Sequence, residues 1–270
     1  MMTVRMSAIN ELVDLALSLR PDVIIYIGAI EQSAHCKPVP LPDILKRLRD
    51  CAPSIHLCGD ASDRPWWPWL ERYNQEDCFS VQVSMDGNYE TPIGRFPNGL
   101  ILLSPMDVRP FNPRPWSERR TKLGLVGGIG HTNRHALISQ LSAKGLLTFH
   151  NTDTERSYAD MAETMCNTKV TLNSPFNGTG DRLHVKGRVI EAGFAGCCLM
   201  EGVGSPTSAW FQPGVDYLEY RDIEHAAWLI NETPDDQLRE MAARFHERIM
   251  IEHHPKTFWN KALTRAGVVS

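Results

Sequence analysis

Lys122-Leu-Gly-Leu-Val-Gly-Gly-Ile-Gly-His-Thr-Asn-Arg134 is the stretch that decides how this chain reads. Residues 122–126 form an apolar strand, residues 127–130 make a turn poor in side chains, and residues 131–144 follow with Leu137, Ile138 and Leu141 at helical spacing. A strand that runs through glycines into a helix exposes backbone amides where a phosphate can approach closely. The same alternation continues downstream. Residues 146–149 read as a strand, 158–166 as a helix, 169–172 as a strand, 173–181 as a polar loop, 184–195 as a helix and 197–200 as a buried strand.

Upstream the pattern repeats in shorter form. Residues 22–28 read as a buried strand stopped by Gly28, Pro42 opens a helix that runs to Arg49, and residues 54–58 read as the next strand. A helix over 66–73 and strands over 78–83 and 100–103 complete this part. Strands separated by helices predict parallel α/β construction, because parallel neighbours need a crossover of that length. Between residues 104 and 121 stand four prolines, which disfavour both helix and interior strand and suit a connector. Two βα series on either side of a proline-rich hinge follow from this.

Toward the end of the chain, Thr233 is expected to cap a helix, with Pro234 in its first position and Asp236 near its free amides. Leu238, Met241, Ala242, Phe245 and Ile249 then form one packing stripe. His253 and His254, at the end of that helix, are expected at the surface.

Composition narrows the function. The chain has 270 residues, 42% of them hydrophobic, with a formal charge of -4, so a sizeable core is expected and no general attraction to nucleic acid. Residues 1–20 carry Glu11 and Asp14 among short apolar groups, and neither a signal peptide nor a spanning helix is indicated. Seven scattered cysteines without a CxxC pair predict reduced thiols and a cytoplasmic chain. There is no GxxxxGK[ST] for phosphoryl transfer, no HExxH and no DxD triplet to clamp a metal, so no metal site is expected. A dinucleotide fingerprint beginning at Gly128 has Asn133 in its third glycine place, with Asp153 downstream as a ribose partner, which keeps an NAD-dependent oxidoreductase as an alternative.

The richest constellation lies between Asn173 and Met200. Lys186 and Arg188 supply cations, and Glu191 stands three residues after Arg188, a helical neighbour able to accept hydrogen bonds from a ribose diol. A solvated helix salt bridge is the plain reading of the same residues. In a helix, Lys186 would point to another side. Trp66, Trp67 and Trp69 suit either core or interface packing or a stacking platform for sugar.

Leu183-His-Val-Lys-Gly-Arg-Val-Ile-Glu-Ala-Gly-Phe-Ala-Gly-Cys-Cys-Leu-Met200 resembles the donor-site helix and following strand of GT-B glycosyltransferases, especially the group related to spore-maturation glycosyltransferases and glycosyltransferase group 1. Met106-Asp-Val-Arg-Pro-Phe-Asn-Pro113 resembles their hinge, Leu125-Val-Gly-Gly128 with Arg134 their opening strand and turn, and Phe211-Gln-Pro-Gly-Val-Asp-Tyr-Leu-Glu-Tyr220 a strand-rich segment beyond the donor loop.

The resemblance implies an α/β, GT-B-like fold of two Rossmann-like domains facing a cleft, the N-terminal one reduced. It divides the chain into an acceptor-side domain at 1–105, a hinge at 106–120, a donor domain at 121–252 and a C-terminal helix at 253–270, which could cross back to the first domain. The implied activity is metal-independent transfer of a hexose-like sugar from a UDP-, GDP- or ADP-type nucleotide-diphosphate sugar, with no tightly bound cofactor. By match, Glu191 binds the ribose and Arg134 and Lys186 face the diphosphate, while Arg188 reaches phosphate or holds Glu191. The amides of Gly127, Gly128 and Gly130, and those of residues 202–205, approach the donor. Asp60 and Asp63, with His56, are the nearest candidates to face the acceptor. The acceptor itself stays open among glycan, lipid, protein and small molecule. Where the retaining enzymes carry a further glutamate, eight positions before Glu191, this chain has Leu183, with Asp181 nearby but out of phase. That substitution and the short first domain keep a second alternative, a catalytically weak nucleotide- or glycan-binding subunit. They also leave room for self-association or a complementing subunit.

Overall fold

The computed structural model describes residues 9–27, 42–128, 132–152, 157–176 and 182–269, and its contacts divide the chain into two compact units. The first unit holds residues up to Leu103 together with Phe258–Ser270; the second is Ser104–Thr257.

In the first unit, strands β1 (Ile24–Ile27), β2 (Ser54–Cys58), β3 (Val81–Ser84) and β4 (Gly99–Ile101) form one parallel sheet in that order. Helices α1 (Ile9–Leu19), α2 (Pro42–Cys51) and α3 (Trp67–Gln75) connect or flank them. β2 and β3 are buried along their whole length, as central parallel strands covered on both faces must be. β1 departs from its expected burial. It alternates half-buried and exposed positions, with Ile25 and Ile27 open, because it is the edge strand, and an apolar run does not distinguish edge from centre.

The core of this unit gathers Ile55, Leu57, Val81, Val83 and Leu102 around Phe258 and Ala262 of the last helix, α9 (Pro255–Arg265). A second cluster packs Leu45, Tyr73, Cys78 and Phe79 with Trp69 at its margin. The tryptophan run is accordingly packed. Trp66 is buried, Trp67 donates its indole N–H to the Ala61 carbonyl at 3.0 Å, and Trp69 lies against Tyr73.

The second unit carries a five-stranded parallel sheet in the order β6-β5-β7-β8-β9. Its strands are β5 (Thr121–Gly127), β6 (Thr148–Asn151), β7 (Thr168–Leu172), β8 (Cys198–Gly202) and β9 (Leu218–Tyr220). The helices are α4 (Thr132–Ala143), α5 (Tyr158–Cys166), α6 (Gly187–Phe194), α7 (Ile223–Glu232) and α8 (Asp235–Glu252). α5 starts where Ser157 and Asp160 form a reciprocal capping box, each side chain accepting from the other's backbone N–H. The stripe of α8, from Leu238 to Ile249, is wholly buried. The proline-rich run contains one short 3₁₀ turn, Trp116–Glu118, and is pinned by the buried Arg119, whose Nη1 donates to the carbonyls of Thr168 and Gly196 at 2.9 and 2.7 Å.

Four local expectations are corrected. α6 begins at Gly187 rather than at residue 184, because Lys186 is extended (φ -68°, ψ 150°) and His184 is tied back to the Pro175 carbonyl by its backbone N–H. Thr233 ends α7; the residue before α8 is Pro234, whose ring offers no capping acceptor, and Asp236 accepts only from the adjacent Gln237 N–H. His253 is packed against the rings of Trp210 and Phe211 instead of lying at the surface. Of the segment 211–220, only Leu218–Tyr220 is strand, so it is less strand-rich than expected.

Candidate nucleotide pocket

After β5 the chain crosses to β6 on one side, then returns to place β7 on the other, so the connections leaving these two neighbouring strands part at their carboxyl ends. Crevices at such switch points are where open α/β sheets bind ligands. A cavity of about 260 Å³ opens there, lined by Leu125 and Val126 of β5, Leu172 to Ser174 at the end of β7, Arg134 of α4, and Lys186 to Arg188 with Glu191 at the start of α6. Met106 closes one wall.

Each cation is held by its local structure. Arg134 donates from Nη1 to the Gly128 carbonyl at 2.9 Å and lies against the backbone of Gly127. A side chain at 127 would place its Cβ 3.0 Å from that guanidinium nitrogen, so this glycine makes room for an arginine. Gly127 is buried in β5, Gly128 half-buried just after it, and Gly130 lies outside the described residues, as do Asp153 and Asp181.

Lys186 is the residue before α6, which is why it reaches the same pocket as Arg188 despite a spacing that a continuous helix would send elsewhere. No side chain caps α6, so the amides of Gly187 and Arg188 at its start can meet an anion, and the helix dipole favours negative charge there.

Arg188 and Glu191 pair as their spacing predicts, Nη1 to Oε2 at 2.7 Å. Yet this is no solvated surface bridge. Glu191 is 3% exposed, and the Arg188 guanidinium also packs on the sulfurs of Met161 and Met165 at 3.0 and 3.3 Å. Tyr158, at the start of α5, has a buried hydroxyl beside the same carboxylate; burial first, and then the Glu191 charge, push the phenol far above its ordinary range.

Behind the pocket lies a group that sequence reasoning passed over. Glu201, fully buried in β8, accepts from the Asn173 carboxamide nitrogen at 2.7 Å, from the Gly202 N–H at 3.1 Å and from the Thr207 hydroxyl at 3.4 Å. Burial pushes its carboxyl up to about 7, against the pull of these hydrogen bonds and of Lys186. Within Leu199-Met-Glu-Gly202 nothing but a charge in an apolar run signals this. Asn173 and Ser174 were legible only as the start of a polar loop, and Met106 only as part of the hinge segment.

The structure gathers Arg134, Lys186, Arg188 and Glu191 at one pocket, within the second unit. Asp60 and Asp63 belong to the first unit, in the turn after β2. Asp60 is exposed, while Asp63 precedes a 3₁₀ turn at Arg64–Trp66 without capping it through its side chain. His56 is a packed strand residue, stacked on Phe79 with Nδ1 3.3 Å from Gln82 Oε1. Among the described residues no group of three His, Cys, Asp or Glu side chains could hold a metal ion, and no helix is long and apolar enough to cross a membrane.

Residues 134–264 match a protein-family model described as glycosyl transferase-like. No curated protein matches the chain in sequence. Among solved structures, Anabaena Alr3699/HepE, crystallised with UDP and glucose, is 11% identical with a TM-score of 0.65, covering 97% of this chain and 82% of that one. A glycosyltransferase from Rickettsia africae matches at 10% identity and a TM-score of 0.60, over 97% and 81% of the two chains. Sucrose-phosphate synthase from Thermosynechococcus elongatus gives 10% and 0.58, over 97% and 77%. Two parallel sheets flanked by helices, matched along nearly the whole chain by structures of this kind, give the protein a GT-B-like glycosyltransferase fold.

Proposed function

We propose that the protein is a glycosyltransferase that uses a nucleotide-diphosphate sugar. The observation that carries this reading is the convergence of Arg134, Lys186, the uncapped start of α6 and Glu191 on one pocket at the β5/β7 switch point. The cations and helix amides suit a diphosphate, and a fixed carboxylate suits a ribose diol. As the glycosidic bond breaks, charge grows on the departing diphosphate, and donors already aimed there stabilise it without reorganising. A UDP-type donor is favoured by the UDP held in the Anabaena structure. A cytoplasmic setting fits the free thiols of all six cysteines among the described residues.

Asp60 and Asp63 are the carboxylates we assign to the acceptor's proton. Asp60→Asn should lower kcat at least tenfold, an order typical of general-base loss, while leaving donor affinity unchanged; a change confined to donor affinity would remove Asp60 from that role.

The test of the activity is hydrolysis or transfer with UDP-, GDP- and ADP-sugars. One donor class is expected to turn over, and Glu191→Gln should cost roughly 10- to 100-fold in kcat/KM, the worth of one or two charge-assisted hydrogen bonds. Leu183, half-buried beside Gly204, favours the second reading, a nucleotide-binding subunit with little turnover of its own. Saturable nucleotide binding without turnover for any donor would decide for it.

A further inference from the structure

We propose that Glu201 is a positioning residue of the donor pocket: its carboxylate sets the Asn173 carboxamide so that the pocket meets a hydrogen-bond acceptor there. This rests on the donor-site reading given above and adds a specificity device to it.

Every group that Glu201 touches is a donor. The Gly202 N–H cannot be anything else. The Thr207 hydroxyl already accepts from Ser205 Oγ at 2.9 Å and turns its own proton toward the carboxylate. The Asn173 amide must follow the same polarity, donating from Nδ2. Its carbonyl oxygen is then the atom turned away from Glu201, and Asn173 is one of the residues that line the cavity. An acceptor at that place selects a hydroxyl on the donor. The Asn173 backbone is fixed as well, since its carbonyl accepts from the Tyr220 hydroxyl at 2.9 Å, so the side-chain amide is the part left for Glu201 to orient. Through Gly202 and Thr207 the same carboxylate ties the loop after β8 to the end of β7.

Protonation reverses the arrangement. A neutral Glu201 must place one proton, and the Asn173 amide, its nearest side-chain partner, can accept it by rotating, which turns its NH₂ toward the pocket in place of the oxygen. The carboxyl's rise to about 7 puts this change near neutrality. The charged and titratable neighbours are Lys186, just before α6, Glu219, the register partner of Glu201 on β9, and Tyr217 and Tyr220, around β9; burial raises both phenols far above neutrality, so neither tyrosine titrates in this range.

The experiment is equilibrium binding of UDP-glucose, GDP-mannose and ADP-glucose between about pH 6 and 8, with native protein, Glu201→Gln and Asn173→Ala. The diphosphate of a nucleotide sugar is a diester and does not titrate in this interval, so a step belongs to the protein. Native affinity should tighten about tenfold as pH rises through about 7, one hydrogen bond's worth. Glu201→Gln imitates the protonated acid and should stay at the weak, low-pH value throughout. Asn173→Ala should lose the step while keeping Glu201. A native affinity that weakens with rising pH and is restored by Glu201→Gln would overturn the inference, since Glu201 would then act as a charge opposing the diphosphate. A parallel loss at all pH values in Glu201→Gln with the step intact would overturn it too, as a merely structural effect. Binding of none of the three nucleotide sugars to native protein would instead overturn the donor-site reading on which it rests.

Discussion

Arg188 and Glu191 form a pair whose part in stability can be separated by substitution from the part in nucleotide binding that we propose for it. Removing one member leaves the other buried without its partner, which costs about 3 kcal/mol, whereas removing both charges together is often near neutral. Arg188→Met alone should therefore lower unfolding free energy by about that amount in urea, and Arg188→Met combined with Glu191→Leu should recover most of it. Nucleotide affinity should stay lost in the double variant, because the carboxylate we propose as the ribose acceptor is gone; recovery of affinity along with stability would mean that the pair is structural only. Glu201 gives a second prediction at this scale. Its folded carboxyl, near 7, lies above the ordinary carboxylate value, so the folded state holds the proton longer than the unfolded chain does. Native stability relative to Glu201→Gln should fall as pH rises from about 4.5 to 7 and level off above, the reverse of an ion-paired carboxylate.

α6 has to be placed against both the sheet and α8, and Gly193 makes the approach to α8 possible. A Cβ at that position would lie 2.3 Å from Ile249 Cγ1 and 2.8 Å from its Cβ, so the clash is with the root of the side chain and no rotamer change relieves it. Gly193→Ala should cost roughly 1–3 kcal/mol by overpacking. Through α6 it should also weaken nucleotide binding, whereas a neutral effect on both would show that the two helices separate freely. This glycine also shows why some elements were legible and others were not. α5 was readable to its ends because its start is written locally, in Ser157 and Asp160. The start of α6 was not, because His184 to Lys186 have no helix-breaking residue among them and are held extended by a tertiary bond to Pro175. The edge position of β1 is likewise set by neighbours far along the chain. Thr233 and Pro234 differed from expectation by a single residue, the usual margin for a helix end.

At the scale of the whole molecule, the parallel α/β construction followed from strands alternating with helices around glycine turns, and it survives at only 10–12% identity to the solved structures it resembles. Most of the pocket was legible for the same reason, since Arg134, Lys186 and Arg188 sit at or beside the starts of helices and Glu191 lies about one turn further along α6. Asn173, Tyr158 and Glu201 were not, because their roles depend on which strand ends lie side by side. The chain also closes on itself: Phe258 and Ala262 of the last helix complete the core of the first unit. Phe258→Ala should destabilise that unit by about 3–5 kcal/mol and leave nucleotide affinity in the second unit unchanged, which calorimetry with and without UDP would read separately.

The measurement closest to the central claim is a crystal structure of the protein grown with UDP. The diphosphate is expected against Arg134, Lys186 and the first amides of α6, with both ribose hydroxyls on Glu191. A nucleotide bound elsewhere, or one in this pocket whose ribose turns away from Glu191, would contradict the account.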